Sequence, residues 1–183
     1  GLGWLVEFYI KDYSYEKART VVKEMVDNLS LNLIDKGLVT NHVGLSIGYS
    51  KDAHKPTGGS VSLTNTTNVF SILNEAILSI YDKTTVKEFP IRRISIGFGN
   101  IVDEKYEQLD LFADEEKLKK EKEIEQTMNK IKQKYGKNSI LRGMNLLDEA
   151  TARKRNKLIG GHNSGEEWLL CRKSKNIYAF WRV

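Results

Sequence analysis

Four segments of this chain alternate apolar residues with small or polar ones at a period of two, and each offers apolar side chains on one face only. In residues 5–13, Val6, Phe8 and Ile10 oppose Glu7, Tyr9 and Lys11. In residues 40–50, Val43, Leu45, Ile47 and Tyr49 oppose His42, Gly44, Ser46 and Gly48. A third segment turns Val61 and Leu63 inward and Ser60, Ser62 and Thr64 outward. The fourth turns Ile94, Ile96 and Phe98 inward and Arg93, Ser95, Gly97 and Gly99 outward. Such alternation is the period of a half-buried strand. A sheet of one-sided strands must cover one face and leave the other to water or a partner.

Two segments of helical period supply the cover. Ser14 is placed to cap a helix with Glu16 in its first turn, and Ala18, Val21, Val22, Met25, Val26 and Leu29 recur at helical spacing. That helix runs to about Asp35 and ends at Gly37. The turn formers Asn65 to Asn68 mark the start of a second helix, with Val69, Phe70, Leu73, Ile77, Ile80 and Tyr81 as its stripe. A glycine-rich connection, KDAHKPTGG, makes a hairpin of the second and third strands. The order is βαββαβ, so the expected class is α+β: the split βαβ, or ferredoxin-like, plan with both helices on one sheet face.

The outward residues are mostly Ser, Gly, Thr and His, which let a bulky partner approach the backbone N–H groups. The formal net charge is +5 but uneven: residues 1–113 hold 12 Lys/Arg against 14 Asp/Glu, and residues 114–160 hold 13 against 8. Within 40–64 and 83–102, however, Lys51, Lys55, Lys83, Lys87, Arg92 and Arg93 face only Asp52 and Glu88. Small and locally basic suits a phosphate backbone, whose contacts position a protein without reading sequence. A lone surface charge is more often simply solvated, and so is a lysine-rich helix.

Beyond the last strand lies Gln108-Leu109-Asp110-Leu111-Phe112, inside the polar run IVDEKYEQLDLFADEE. An apolar cluster in a polar connector marks either an interaction site or a segment tucked onto the core. The pentapeptide resembles QL[SD]LF, by which bacterial polymerases hold the sliding clamp. That resemblance implies that the Gln108 carboxamide hydrogen-bonds at a pocket rim while Leu111 and Phe112 fill the pocket. From average residue usage, a chance match in a chain of this length is rarer than about one in a thousand.

In order along the chain, KDYSYEKART, VGLSIGYSKD, GGSVSLTNTTN, IRRISIGFGNIVD and LLDEATARKRNKLIGGH resemble the C-terminal region of UmuC-like Y-family translesion DNA polymerases of Gram-positive bacteria. The resemblance covers about residues 11–162. It implies a little-finger module that lies along the DNA major groove and grips the backbone through its open sheet face, with His42, Ser46, Lys51, Lys55, Ser60, Ser62, Arg92, Arg93 and Ser95 as candidate contacts. It also implies a role in error-prone synthesis, DNA repair and the SOS response, with damaged or primer-template DNA, the sliding clamp and other SOS proteins as partners. The family's palm, with its magnesium-binding carboxylates, is not among these residues, so neither a catalytic residue nor a cofactor is expected in this piece of a nucleotidyltransferase. Residues 1–8 and those from Glu166 onward depart from the family pattern. The expected organisation is a module at 5–102, a linker with the clamp motif at 103–113, a charged helical extension at 114–160 and a flexible or non-native tail at 161–183.

In the extension, Leu118, Ile124, Met128 and Ile131 form a stripe so thin that the helix is expected to dock weakly or stay solvated, ending at Gly136. A second helical piece is expected from about Leu146 to Leu158, and its run Arg153-Lys154-Arg155 either touches DNA or a partner or stays solvated. His42, His54, His162 and the single Cys171 share no metal-ligand spacing. No apolar run approaches the roughly 20 residues that span a bilayer, so no membrane partner and a cytoplasmic location are expected. Gly97-Phe98-Gly99 matches part of an RNA-recognition consensus, which keeps a stand-alone RNA-binding module as the alternative, but Phe98 has the parity of the core. A metabolite-sensing domain that dimerises through its sheet edge is a third reading.

Overall fold

The computed structural model describes residues 2–50, 53–106 and 115–157. Lys51, the pentapeptide 108–112 and the tail from 158 onward, with His162 and Cys171, lie outside the described residues. The elements are β1 (Leu2–Tyr13), α1 (Tyr15–Asp35), β2 (Leu38–Tyr49), β3 (Thr57–Thr67), α2 (Phe70–Thr84) and β4 (Ile91–Asp103). They are followed by a 3-10 turn at Glu104–Tyr106, α3 (Glu115–Tyr135), a second 3-10 turn at Gly143–Leu146 and the one-turn α4 (Ala152–Arg155). The βαββαβ order and the α+β class are as expected.

The strands form one antiparallel sheet in the order β1-β4-β2-β3. The last strand therefore enters between the first two, and each βαβ crossover is split by one strand. Phe8, Ile94 and Ile47 lie in one row across the sheet, and Val6, Ile96 and Leu45 in the next. Ile94, Ile96 and Ile47 are fully buried beneath α1 and α2. Burying each such side chain is worth about 1.5–3 kcal/mol.

The Ser14 hydroxyl accepts from the Lys17 backbone N–H at the start of α1, and Gly37, at φ 61°, takes the left-handed turn that ends it. Asp82 holds the two helices together, accepting from the Arg19 guanidinium at 2.9 and 2.8 Å and from the Tyr15 hydroxyl at 2.6 Å. The Arg19 hydrogen bond holds the Asp82 carboxyl at about 2.

Three expectations need correction. Residues Asn65 to Thr67 belong to β3, so of the four only Asn68 lies between strand and helix; it is fully buried, and its amide donates to the Leu38 carbonyl at 3.0 Å. Val61 and Leu63 do point to the helix side, but β3 is an edge strand that α2 only partly covers, and Val61 stays 39% exposed. The piece expected at 146–158 is a 3-10 turn, a loop and a single helical turn, held by side chains rather than by helical propensity.

The largest correction concerns the extension, which docks firmly on α1. The α3 residues turned toward the module are Leu118, Glu121, Lys122, Glu125, Met128, Asn129 and Lys132, mostly polar at helical spacing, while Ile124 is 59% exposed. Arg142 bridges Asp27 of α1 and Glu125 of α3, with its guanidinium 4.2 Å from the Phe70 ring centre. Glu24 of α1, fully enclosed, accepts from Asn145, from the Thr151 N–H and hydroxyl, from the Ala152 N–H and from Arg155. Arg155 therefore belongs to the interior: it lies over the Phe8 ring at 4.9 Å and closes the helix side of β1. Helix α2 has no side-chain cap of its own; Glu121 supplies one from α3, accepting from the Ser71 N–H at 3.0 Å and hydroxyl at 2.8 Å.

Candidate nucleic-acid interface

The face opposite the helices is built in rows. Arg93 of β4 stands between Tyr9 of β1 and Gly48 of β2. The next row is Glu7, Ser95, Ser46 and Gly58. After it come Leu5, Gly97, Gly44 and Ser60, and then Gly99, His42 and Ser62. The two central strands thus present a directly paired glycine couple, Gly44 and Gly97, with no side chains of its own; the Leu5 side chain lies beside Gly97, 3.6 Å from where a Cβ would stand. A Cβ at Gly44 would meet only ordinary contacts, with the Ser60 Cβ at 3.5 Å, so packing does not exclude one there. Gly48 differs: a Cβ there would press on the Arg93 side chain at 3.0 Å.

His42, Ser46, Ser60, Ser62 and Arg93 come together on this face as expected. The His42 ring nitrogen Nδ1 lies 3.0 Å from the Ser62 hydroxyl. The Arg93 Nε is shielded and has no hydrogen-bond partner among the described residues. Lys55 is exposed on the β2–β3 connection, at the same sheet end as Arg93, because the Ser50 N–H of that connection bonds the Pro90 carbonyl at 2.9 Å.

Two expected contacts are otherwise engaged. Ser95 is 5% exposed and donates to Glu7 at 3.1 Å, so it lies beneath the surface beside a carboxylate. Arg92 is exposed but forked onto Asp12, at 2.8 and 3.1 Å. Asp12 sits at φ 49°, where the β1–β4 register breaks, and also accepts from the Ser50 hydroxyl at 2.6 Å. The Arg92 and Ser50 hydrogen bonds hold its carboxyl at about 2. The sequence reading missed this pairing and the Gly44–Gly97 couple. The second was discoverable, since both glycines fall on outward positions of adjacent strand patterns.

Phe98 is 1% exposed on the helix side, and Tyr9 is the one Phe, Tyr or Trp in the four outward rows. Among the described residues no group of His, Cys, Asp and Glu could hold a metal ion. No helix among them is long and apolar enough to cross a membrane.

Fold and face together define an α+β module of two interleaved split βαβ units, with a glycine-rich, side-chain-poor sheet face. Residues 8–111 match the family model described as the impB/mucB/samB family C-terminal domain, and the chain belongs to that family. The Y-family resemblance is thereby borne out. The chain is 29% identical over 164 residues to UvrX of Bacillus subtilis (strain 168), a protein named for UV-damage repair, covering 86% of this chain and 38% of that one. It is 30% identical over 121 residues to a protein of Halalkalibacterium halodurans named DNA polymerase IV 2, covering 64% of this chain and 29% of that one. The chain thus spans less than two fifths of either relative. A solved complex of the β-clamp processivity factor and the little finger domain of PolIV aligns with 13% identity and a TM-score of 0.43, covering 61% of this chain and 99% of that chain.

Proposed function

We propose that this chain is the DNA-gripping and clamp-tethering region of a translesion polymerase, with its open sheet face laid on the phosphate backbone. The observation that carries this reading is the Gly44–Gly97 couple, flanked by Ser46, Ser60, His42 and Ser62 and bounded at one sheet end by Arg93 and Lys55. Glycine and serine let phosphates lie close against the sheet, within reach of the serine hydroxyls, and the cations at the sheet end supply the attraction. Such a grip reads no base edges, which suits a template whose bases are damaged. Gln108 to Phe112 would then hold the sliding clamp, keeping a weakly bound polymerase at high local concentration near the primer end. The single-strand RNA reading is disfavoured because stacking platforms need aromatic rows on the open face.

The test is fluorescence anisotropy with a primer-template duplex across a salt series, paired with calorimetry against a bacterial sliding clamp. A log–log salt slope that Arg93→Ala makes shallower by about 1 supports the grip. Clamp binding at micromolar strength, about −8 kcal/mol, abolished by Leu111→Ala/Phe112→Ala, supports the tether. Preference for single strands with no clamp binding would return the RNA-binding alternative.

A further inference from the structure

The two edges of the sheet are finished differently. β1 carries Glu7, Lys11 and Asp12, and its ladder breaks at two points. Charges and bulges of this kind keep an edge from pairing with another chain. β3, TGGSVSLTNTT, has no charged residue and no proline in 11 residues; its ladder with β2 runs unbroken from Thr57 to Ser62 and shifts register only beyond it, before Thr67, so Thr57 to Ser62 is the flat part of this edge. Beside it lies a groove of about 600 Å³ against α2, with Val61, Leu63, Ile72, Ala76 and Ile80 among its apolar lining.

The groove's polar lining has a pattern that fits one occupant. Glu75, Ser79 and Lys83 are exposed on α2 at a spacing of four, so they share one helix face. A twofold axis near Ser79 would run two α2 helices antiparallel and bring Glu75 of each toward Lys83 of the other. The same axis would set two β3 edges side by side and antiparallel, opposing uncharged residues to uncharged residues. An isologous twofold contact needs this kind of self-complementarity.

We propose that a second copy of this chain docks on the β3 edge and the β3–α2 groove. The two sheets join into one of eight strands, and each copy covers the other's Val61. Ser60 and Ser62 stay on the open face beside the seam. This proposal does not depend on the DNA or clamp reading, and its test uses neither ligand.

The experiment is sedimentation velocity of the full chain from micromolar to submillimolar concentration. The apparent mass should double as concentration rises. Lys83→Glu, which sets Glu75 against a second carboxylate across the seam, should weaken association at least about tenfold. Glu75→Lys/Lys83→Glu restores opposite signs and should recover it. Val61→Lys, an inward lysine on an exposed edge, should give monomer with an unchanged circular dichroism spectrum. Because Glu75 and Lys83 are exposed, the charge variants fold whether or not the chain dimerises. Monomer at every concentration overturns the proposal, as does a dimer insensitive to Lys83→Glu or one that the charge swap does not restore.

Discussion

Replacing Glu24 by Ala should release the segment 143–157 while the sheet stays folded. The Glu24 carboxylate takes hydrogen bonds from five donor groups on Asn145, Thr151, Ala152 and Arg155, at 2.8 to 3.2 Å, and is fully buried. Each such bond is worth about 1 kcal/mol net. Removing one partner of a buried ion pair costs about 3–5 kcal/mol, because the other is left uncompensated. The two routes converge on about 4 kcal/mol. At about 1.4 kcal/mol per decade, this is close to a thousandfold in the opening equilibrium of the segment, limited by the segment's own docking free energy. The assay is amide hydrogen exchange by mass spectrometry, which separates local from global opening. Peptides over 143–157 should lose protection, and peptides over β2 and β4 should keep it. Glu24→Gln, which keeps an acceptor oxygen, should lose less. Glu24→Met/Arg155→Met, which removes both charges, should recover much of the loss. A rise below about tenfold in 143–157 would refute the view that this carboxylate holds the extension. Equal loss across β2 and β4 would show that the extension and the module open as one unit.

Burial pushes the Glu125 carboxyl up to about 7, opposed by Arg142 and aided by Glu121 and Asp27. In the fold Glu125 binds a proton more tightly than in the unfolded chain, so its contribution is complete below about pH 4.5 and is lost as pH rises through 7, up to about 3 kcal/mol. Asp12 and Asp82, held near 2, act in the opposite sense and are lost only as pH falls below about 4. Melting temperature should therefore be higher near pH 5.5 than at pH 8, and Glu125→Gln should flatten that difference. Gly44→Ala adds a Cβ that meets only ordinary contacts, so thermal stability should hold while duplex affinity falls in anisotropy. Asp12→Ala should free Arg92 and steepen the salt slope of duplex binding by about 1, whereas an unchanged slope would place Arg92 outside the interface.

The parity of Ile94, Ile96 and Phe98 was legible because a strand needs only its own alternation to declare a buried face. The strand order was not, since nothing local in Ile91–Asp103 says that it inserts between β1 and β2. Arg92 reads as a free cation until Asp12, 80 positions away, is set opposite it by a break in register. The outward Ser, Gly and His residues were legible from the same alternation that gave the core. The extension misled the periodic reading because its docking face is ionic: Glu125 is buried and Ile124 is not. Apolar periodicity finds greasy seams, whereas a seam of Glu24, Asp27, Glu125, Arg142 and Arg155 becomes visible only once the partners are in space.

The wedged position of β4 governs the order in which the module can be assembled during synthesis. Among the described residues β1 pairs with β4 alone, and β2 reaches β1 only across it. Until residues 91–103 have left the ribosome, the first strand has no ladder and α1 rests on half a sheet. Contacts so distant along the chain make folding slow and cooperative. A nascent chain in which Ile91 has not yet emerged should be open to protease across residues 2–90, and one long enough for Asp103 to have cleared the ribosome should become resistant there in a single step.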